Sequence, residues 1–293
     1  MKYGVVFPQI EFPNDPVAIK DFAQAAENLG YDHLLAYDHL LGANPNREGG
    51  WTGAFTYADP FQEPLTLFSY LAGLTERLTF ITGLIILPQR ETVLFAKQAA
   101  TLDVLCQGRL RLGVGLGWNK IEYIAQNKDF HNRGHRFEEQ VQVLRKLWTE
   151  ELVTFEGRWH TILDAGLNPR PVQRPIPLWI GGNAERVLRR IASTGDGWLP
   201  NHHTPEAGAE DFERLQQYLA EAGRTINDIG IEPRLRYSDG NQDNWKKQAE
   251  GWQAAVGATH LSVLTMGGGL STPQEHIQAI TRYAEALEIK PIQ

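Results

Sequence analysis

Few groups in this chain stand where they could do chemistry together. Asp38 and His39 are adjacent and follow a short apolar run at 33–37. A carboxylate beside an imidazole suits proton transfer next to a redox centre, because imidazole titrates near neutrality. The same dipeptide also reads as an aspartate capping a loop beside a packed histidine, and both readings stay open. His202 and His203 follow another apolar run and are candidates for touching a substrate. Two imidazoles fall short of the three or four ligands a zinc site needs. His131 and His135 are spaced i, i+4, but no glutamate follows His131, so the H-E-x-x-H pattern fails. No G-x-S-x-G elbow appears, which leaves a serine hydrolase unsupported.

Glycines supply the second kind of signal. Gly83 interrupts an apolar run, which marks either a kink or a ligand's close approach to the backbone. Gly113, Gly115 and Gly117 alternate ahead of Trp118 and Asn119. That spacing is not the dinucleotide fingerprint, and tight packing explains it as well as a ligand does. Gly181-Gly182-Asn183 leads into a helical stretch at 184–191, with Arg186 and Arg189 nearby. Unpaired amides and the helix dipole would favour an anion there. Gly267-Gly268-Gly269 is a rival, because barrel phosphate sites usually lie after strands seven and eight. The residues alone do not rank the two.

Positioning such groups requires a scaffold, and the hydrophobic pattern specifies one. Short apolar runs alternate with amphipathic stretches, the signature of βα units on a parallel sheet. Strands are expected at about 3–8, 33–37, 78–87, 110–114, 178–180, 197–199, 229–235 and 261–264. Asp15-Pro16 and Thr272-Pro273 open helices with a cap and a first-turn proline. A long helix is expected at 134–148, with Phe137, Val141, Leu144 and Trp148 on one face. Between 152 and 174 the rhythm breaks: Phe155-Glu156-Gly157 reads as a turn, and Pro169, Pro171 and Pro175 as a surface connection. Eight strands in 293 residues favour an α/β fold of the (β/α)8 TIM-barrel type over an open doubly wound sheet. Insertions are expected after strand two, at 38–63, and between strands four and five. No linker or change of composition divides the chain, so one domain, 1–293, is expected. The 38–63 loop would lie on the catalytic face, with Trp51, Phe55, Tyr57 and Phe61 as an apolar lining or as its own packing.

Bulk properties exclude several classes. A formal charge of −7 argues against a general binder of nucleic-acid phosphates. The single cysteine, Cys106, rules out an intrachain disulfide and reads as a buried thiol. The opening residues read as a strand rather than a signal peptide, and the longest apolar run falls short of a membrane span. No membrane contact and a cytoplasmic location are therefore expected.

Segments 82–103, 108–119, 168–175, 179–183 and 195–198 together resemble the bacterial luciferase-like monooxygenases, and most nearly the coenzyme F420-dependent oxidoreductases among them. The resemblance spans the chain to about Pro200 and thins beyond it. It implies a (β/α)8 barrel, often a homodimer, with a tricyclic ring at the barrel's C-terminal mouth. It implies a non-proline cis peptide at Gly83–Leu84 backing that ring, and an Asp-His pair, here Asp38 and His39, beside it. It places the cofactor phosphate near Gly117, Trp118, Gly181, Gly182 and Asn183 rather than at the glycines after strand eight. Hydride transfer between F420 and a small organic substrate is the activity implied. His39 would be its acid/base or charge stabiliser, Asp38 would orient His39 or contact the ring, and His202, His203 and Trp51 would be substrate contacts. FMN is the alternative cofactor, and a non-catalytic flavin-binding protein is the alternative of another class. The whole reading needs strands that close on themselves and open space beside Gly83 and Gly182.

Overall fold

The computed structural model describes residues 1–291. Its strands are β1 (Lys2–Val6), β2 (His33–Ala36), β3 (Thr79–Thr82), β4 (Ile85–Ile86), β5 (Leu110–Gly115), β6 (Val153–Glu156), β7 (Thr161–Ala165), β8 (Leu178–Gly181), β9 (Gly197–Leu199), β10 (Gly230–Ile231), β11 (Arg234–Arg236) and β12 (His260–Leu264). Its α-helices are α1 (Pro16–Asn28), α2 (Pro64–Ala72), α3 (Thr92–Leu105), α4 (Lys120–Ala125), α5 (Arg133–Thr149), α6 (Glu185–Thr194), α7 (Pro205–Glu221), α8 (Gln242–Val256) and α9 (Pro273–Ala286). Two expected starts are present: Asp15 accepts from the Val17 amide, and Thr272 with Glu275 forms a capping box.

One large sheet runs β10-β9-β8-β5-β3-β2-β1-β12-β11, with β4 alongside β5. Every pairing in it is parallel. The two ends of this order, β10 and β11, are separated in the chain only by Glu232 and Pro233. Proline has no amide to donate, so one run pairs with different neighbours on its two sides. The Glu232 amide donates to the Trp198 carbonyl at 3.0 Å, and the Pro233 carbonyl accepts from the Ser262 amide at 3.1 Å. The sheet therefore curls until its ends meet.

Strand alternation divides the side chains between two layers. Val5, Leu34, Phe80, Leu112 and Leu178 belong to the main core with the helices, while Val6, Leu35, Ile81, Trp179 and Leu199 form a second cluster inside the curl. Burial of both faces is why the strands read as nearly continuous apolar runs. Within the same curl, Glu232 accepts from Ser262 Oγ at 2.6 Å and Arg111 at 3.0 Å, and pairs with His33 Nε2 at 2.9 Å. Burial pushes the Glu232 carboxyl up, but His33 and Arg111 outweigh it and hold the group far below the usual carboxylate range.

Three expectations are corrected. The strand expected at 229–235 is divided at Glu232 and Pro233 into β10 and β11. The strand expected at 78–87 is cut in two, with a cis peptide between Gly83 and Leu84 where the pieces part. The turn expected at Phe155-Glu156-Gly157 begins only at Gly157, since Phe155 and Glu156 end β6. β6 and β7 form an antiparallel hairpin in which Phe155 faces Ile162, and the Gly157 amide closes the turn onto the His160 carbonyl at 2.9 Å. Val153, Phe155 and Ile162 give this hairpin one buried face, a period-two signal that the glycine and prolines around it masked. The 38–63 segment holds no helix or regular strand, only an isolated bridge between Ala43 and Thr56.

Candidate active site

A cavity of about 680 Å³ opens at the C-terminal ends of the strands. Its floor is apolar, made by Leu35, Leu84, Leu199 and Leu264, and reaches down to Glu232. Of the residues singled out in the sequence, Asp38, His39, Gly83, Leu84, Gly117, Trp118, Gly181 and Gly182 all line it. Asn183, His202, His203 and Trp51 stand outside its lining. The Asn183 side chain accepts from the Asn201 amide at 3.0 Å, and Asn201 does line the cavity. His202 is turned to Asp211, 2.8 Å away, and His203 lies 3.4 Å from Arg236. Trp51 packs on Trp118, with ring centroids 5.7 Å apart.

His39 is held, but not by its sequence neighbour. Its Nδ1 lies 3.0 Å from Glu122 Oε1, and the rings of Phe55 and Phe61 pack against it at 4.8 Å each. Glu122 is itself buried and accepts from Gln89 at 3.1 Å. Burial raises its pKa, but the hydrogen bonds from His39 and Gln89 more than offset that, so Glu122 lies below the ordinary carboxylate range. An ionised carboxylate only accepts, so Nδ1 carries the proton of this bond and Nε2 is left as the exchangeable site of the neutral ring. Asp38 serves elsewhere: it accepts from Arg90 at 2.6 Å and from the Ile86 amide at 3.1 Å. Burial wins over these partners and leaves Asp38 above its usual range. The carboxylate expected to orient His39 is thus Glu122, a residue that sequence reasoning passed over.

The open space expected beside Gly83 is absent, because Leu35 fills it, whereas that expected beside Gly182 is present. A Cβ on Gly83 would lie 2.2 Å from Leu35, and one on Gly181 the same distance from Leu84. Both glycines make room for leucines of the floor and line the cavity with backbone. Gly182 is different: its φ is +119°, and a Cβ there would meet only Val187, at 3.6 Å. The Trp198 indole donates to the Gly182 carbonyl at 2.9 Å and fixes this bend.

The two glycine-rich segments now separate. Gly181-Gly182-Asn183 runs into α6, whose N-cap residue, Ala184, offers no side-chain cap. The Val187 amide already donates to the Ala184 carbonyl at 2.7 Å and Glu185 puts a carboxylate in the same turn, so only the amides of Glu185 and Arg186 keep the character of an anion site. After β12, the Gly267 amide already donates to Glu11 at 2.9 Å, and α9 is closed by its capping box. That rim is supplied with carboxylates from the chain itself.

Further residues come to the cavity unannounced. Arg234 and Arg236, alternating on β11, both line it. Their signal was in the sequence, as two arginines at i, i+2 at the end of the strand expected at 229–235, where alternate residues share a face. Among the described residues, no group of three or more His, Cys, Asp or Glu side chains could hold a metal ion. No helix there is long and apolar enough to cross a membrane.

Comparison with known proteins adds four findings. A family model described as luciferase-like monooxygenase matches residues 5–238. An uncharacterised protein of Mycobacterium bovis is 32% identical over 214 residues, covering 69% of this chain and 72% of that one. A protein of Intrasporangium calvum named F420-dependent glucose-6-phosphate dehydrogenase is 32% identical over 238 residues, 76% of this chain and 66% of its own length. Among solved structures, the monooxygenase RslO1 from Streptomyces bottropensis superposes with a TM-score of 0.81 at 20% identity, over 98% of this chain and 99% of that one.

Proposed function

The chain belongs to the luciferase-like monooxygenase family, and from that premise we propose that it is an oxidoreductase transferring a hydride between the deazaflavin coenzyme F420 and a small organic substrate. On this reading the curled sheet is a (β/α)8 barrel, with insertions after its second strand and between its fourth and fifth. Residues 1–293 are one domain, working in the cytoplasm on a small molecule, with no nucleic-acid or membrane partner.

The observation that carries the proposal is the pairing of two walls around one apolar floor. One wall presents His39, braced by ionised Glu122; the other presents the Gly182 bend and the uncapped start of α6. The cavity's volume and mostly apolar lining suit an organic ligand fixed by a few polar groups. A planar heterocycle with an anionic tail matches both ends. The relative named F420-dependent favours the deazaflavin over FMN.

The bound cofactor supplies the two-electron chemistry. The chain's residues supply the rest. Gly117, Trp118, Gly181, Gly182 and Asn183 hold the tail and its rim, and the Gly83 and Leu84 backbone supports the ring. His39 holds or releases a proton at Nε2, and Glu122 keeps the proton of Nδ1 in place. Asp38, taken up by Arg90 and Ile86, shapes the rim. Trp51 and His203 reach the substrate side through Trp118 and Arg236, while His202, turned to Asp211, steadies the same loop. Exposed Val93, Leu94, Val104 and Leu105 on α3 give a homodimer an apolar face to cover.

Titration of the purified protein with F420 and FMN, each oxidised and reduced, tests the proposal by fluorescence. Saturable binding of F420 with weaker binding of FMN is expected. Tight FMN binding with no response to F420 overturns the choice of cofactor.

A further inference from the structure

The carboxylates lining the cavity already have partners. Asp38 is matched by Arg90 and Glu232 by Arg111, while Glu122 is held by hydrogen bonds with His39 and Gln89. Arg234 and Arg236 are left over. Neither has a carboxylate within ion-pair distance among the described residues. Arg234 is steadied by neutral acceptors, Asn201 Oδ1 at 2.9 Å and the Tyr37 hydroxyl at 3.3 Å, with the Tyr37 ring 5.9 Å from its guanidinium. Arg236 has His203 Nε2 at 3.4 Å. Glu11, on the same rim, is occupied by the Gly267 amide.

Alternate residues of a strand share one face and lie about 7 Å apart. Both arginines are half-buried and line the cavity beside Leu264 and Met266. Two like charges this close, partly withdrawn from water and given no counter-ion, are costly unless an anion joins them. Neutral acceptors hold both Nη atoms of Arg234, the Pro200 carbonyl at 3.5 Å included, and Nη2 of Arg236; they leave each guanidinium its charge, which a carboxylate or phosphate engages by sharing these groups.

We propose that Arg234 and Arg236 form an anion subsite for the substrate, which is therefore a small organic acid carrying a carboxylate, sulfonate or phosphate group. The subsite follows from the charges of this chain alone. Its assignment to substrate rests on the reading above, in which the cofactor's own anionic tail occupies the Gly182 and α6 wall.

The test uses cofactor-free protein, as wild type, Arg234→Gln and Arg236→Gln, with Arg234→Lys as the conservative variant. Each is checked for an unchanged melting curve and titrated calorimetrically with inorganic phosphate, with benzoate and with F420. Wild type should bind phosphate or benzoate saturably. Each Gln variant should weaken that binding by about tenfold or more, and Arg234→Lys by less, since a charge-assisted hydrogen bond is being removed. F420 affinity should stay within about twofold of wild type. Absence of anion binding, or equal binding by wild type and both Gln variants, refutes the subsite. A parallel loss of F420 affinity in the variants gives the arginines to the cofactor tail and refutes a substrate site. Arginine-dependent anion binding in a protein that ignores F420 upholds the subsite and removes the cofactor assignment instead.

Discussion

At the scale of single residues, the chemistry turns on His39 and Glu122. His39 was legible because it follows a predicted strand end, where barrel sites gather. Glu122 was not legible, because its bond to His39 spans 83 positions and nothing local marks a glutamate on a short helix as a partner for a distant imidazole. Adjacent Asp38 was the natural candidate, yet its carboxylate is drawn to Arg90 and Ile86. Replacing His39 with Asn should lower kcat for F420 reduction by about 10²–10⁴ while leaving the cofactor Kd near wild type. Glu122→Gln keeps an acceptor for Nδ1 but removes the carboxylate charge beside the ring, so kcat should fall, by less, with KM and Kd little changed. A drop in melting temperature with kcat intact would make Glu122 merely structural, and full turnover in the His39 variant would point to a carrier.

At the scale of elements, the strands and caps were readable from apolar runs and from Asp15-Pro16 and Thr272-Pro273, and the breaks were not. The division of β10 from β11 comes from Pro233, and the parting of β3 from β4 falls at Gly83; inside an apolar run neither residue announces which neighbour each half will pair with. The last βα unit carries a pH dependence of its own. His276 on α9 is fully buried, with Nδ1 on Thr265 at 2.9 Å, and burial pushes it down to about 4 despite Glu275. His260, which opens β12, is held down to about 3 by burial first, then by Arg111 and His33. The unfolded chain protonates both near 6.5, so it binds more protons than the folded one below that pH. The stability of the neutral rings is complete above pH 6.5 and drains as the pH falls towards 4 and then 3. The loss should approach ~1.4 kcal/mol per pH unit for each histidine. Denaturant melts between pH 7 and 4 should show this decline, about one proton shallower in His276→Gln. An identical slope in the variant would contradict the assignment.

At the scale of the whole molecule, the architecture was more legible than the site. Fold class follows from the alternation of apolar runs and amphipathic stretches, which every βα unit repeats and no single residue decides. The cavity depends instead on which side chains fill the glycine gaps. Leu35 and Leu84 take the space at Gly83 and Gly181, while Gly182 stays open beside Val187. Local sequence does not encode that distribution, since each filling leucine comes from a distant segment of the chain: Leu35 of β2 at Gly83, and Leu84 of the β3–β4 break at Gly181. Val187 tests it, being half-buried on the first turn of α6 and part of the cavity wall. The most direct measurement is the F420 dissociation constant of wild type beside that of Val187→Trp, with both proteins confirmed as equally folded. A ring and tail seated between His39 and α6 predict tight wild-type binding weakened at least about tenfold by the indole, the cost of overfilling a packed site. Equal affinity in the two proteins, or no saturable binding by either, would contradict the account.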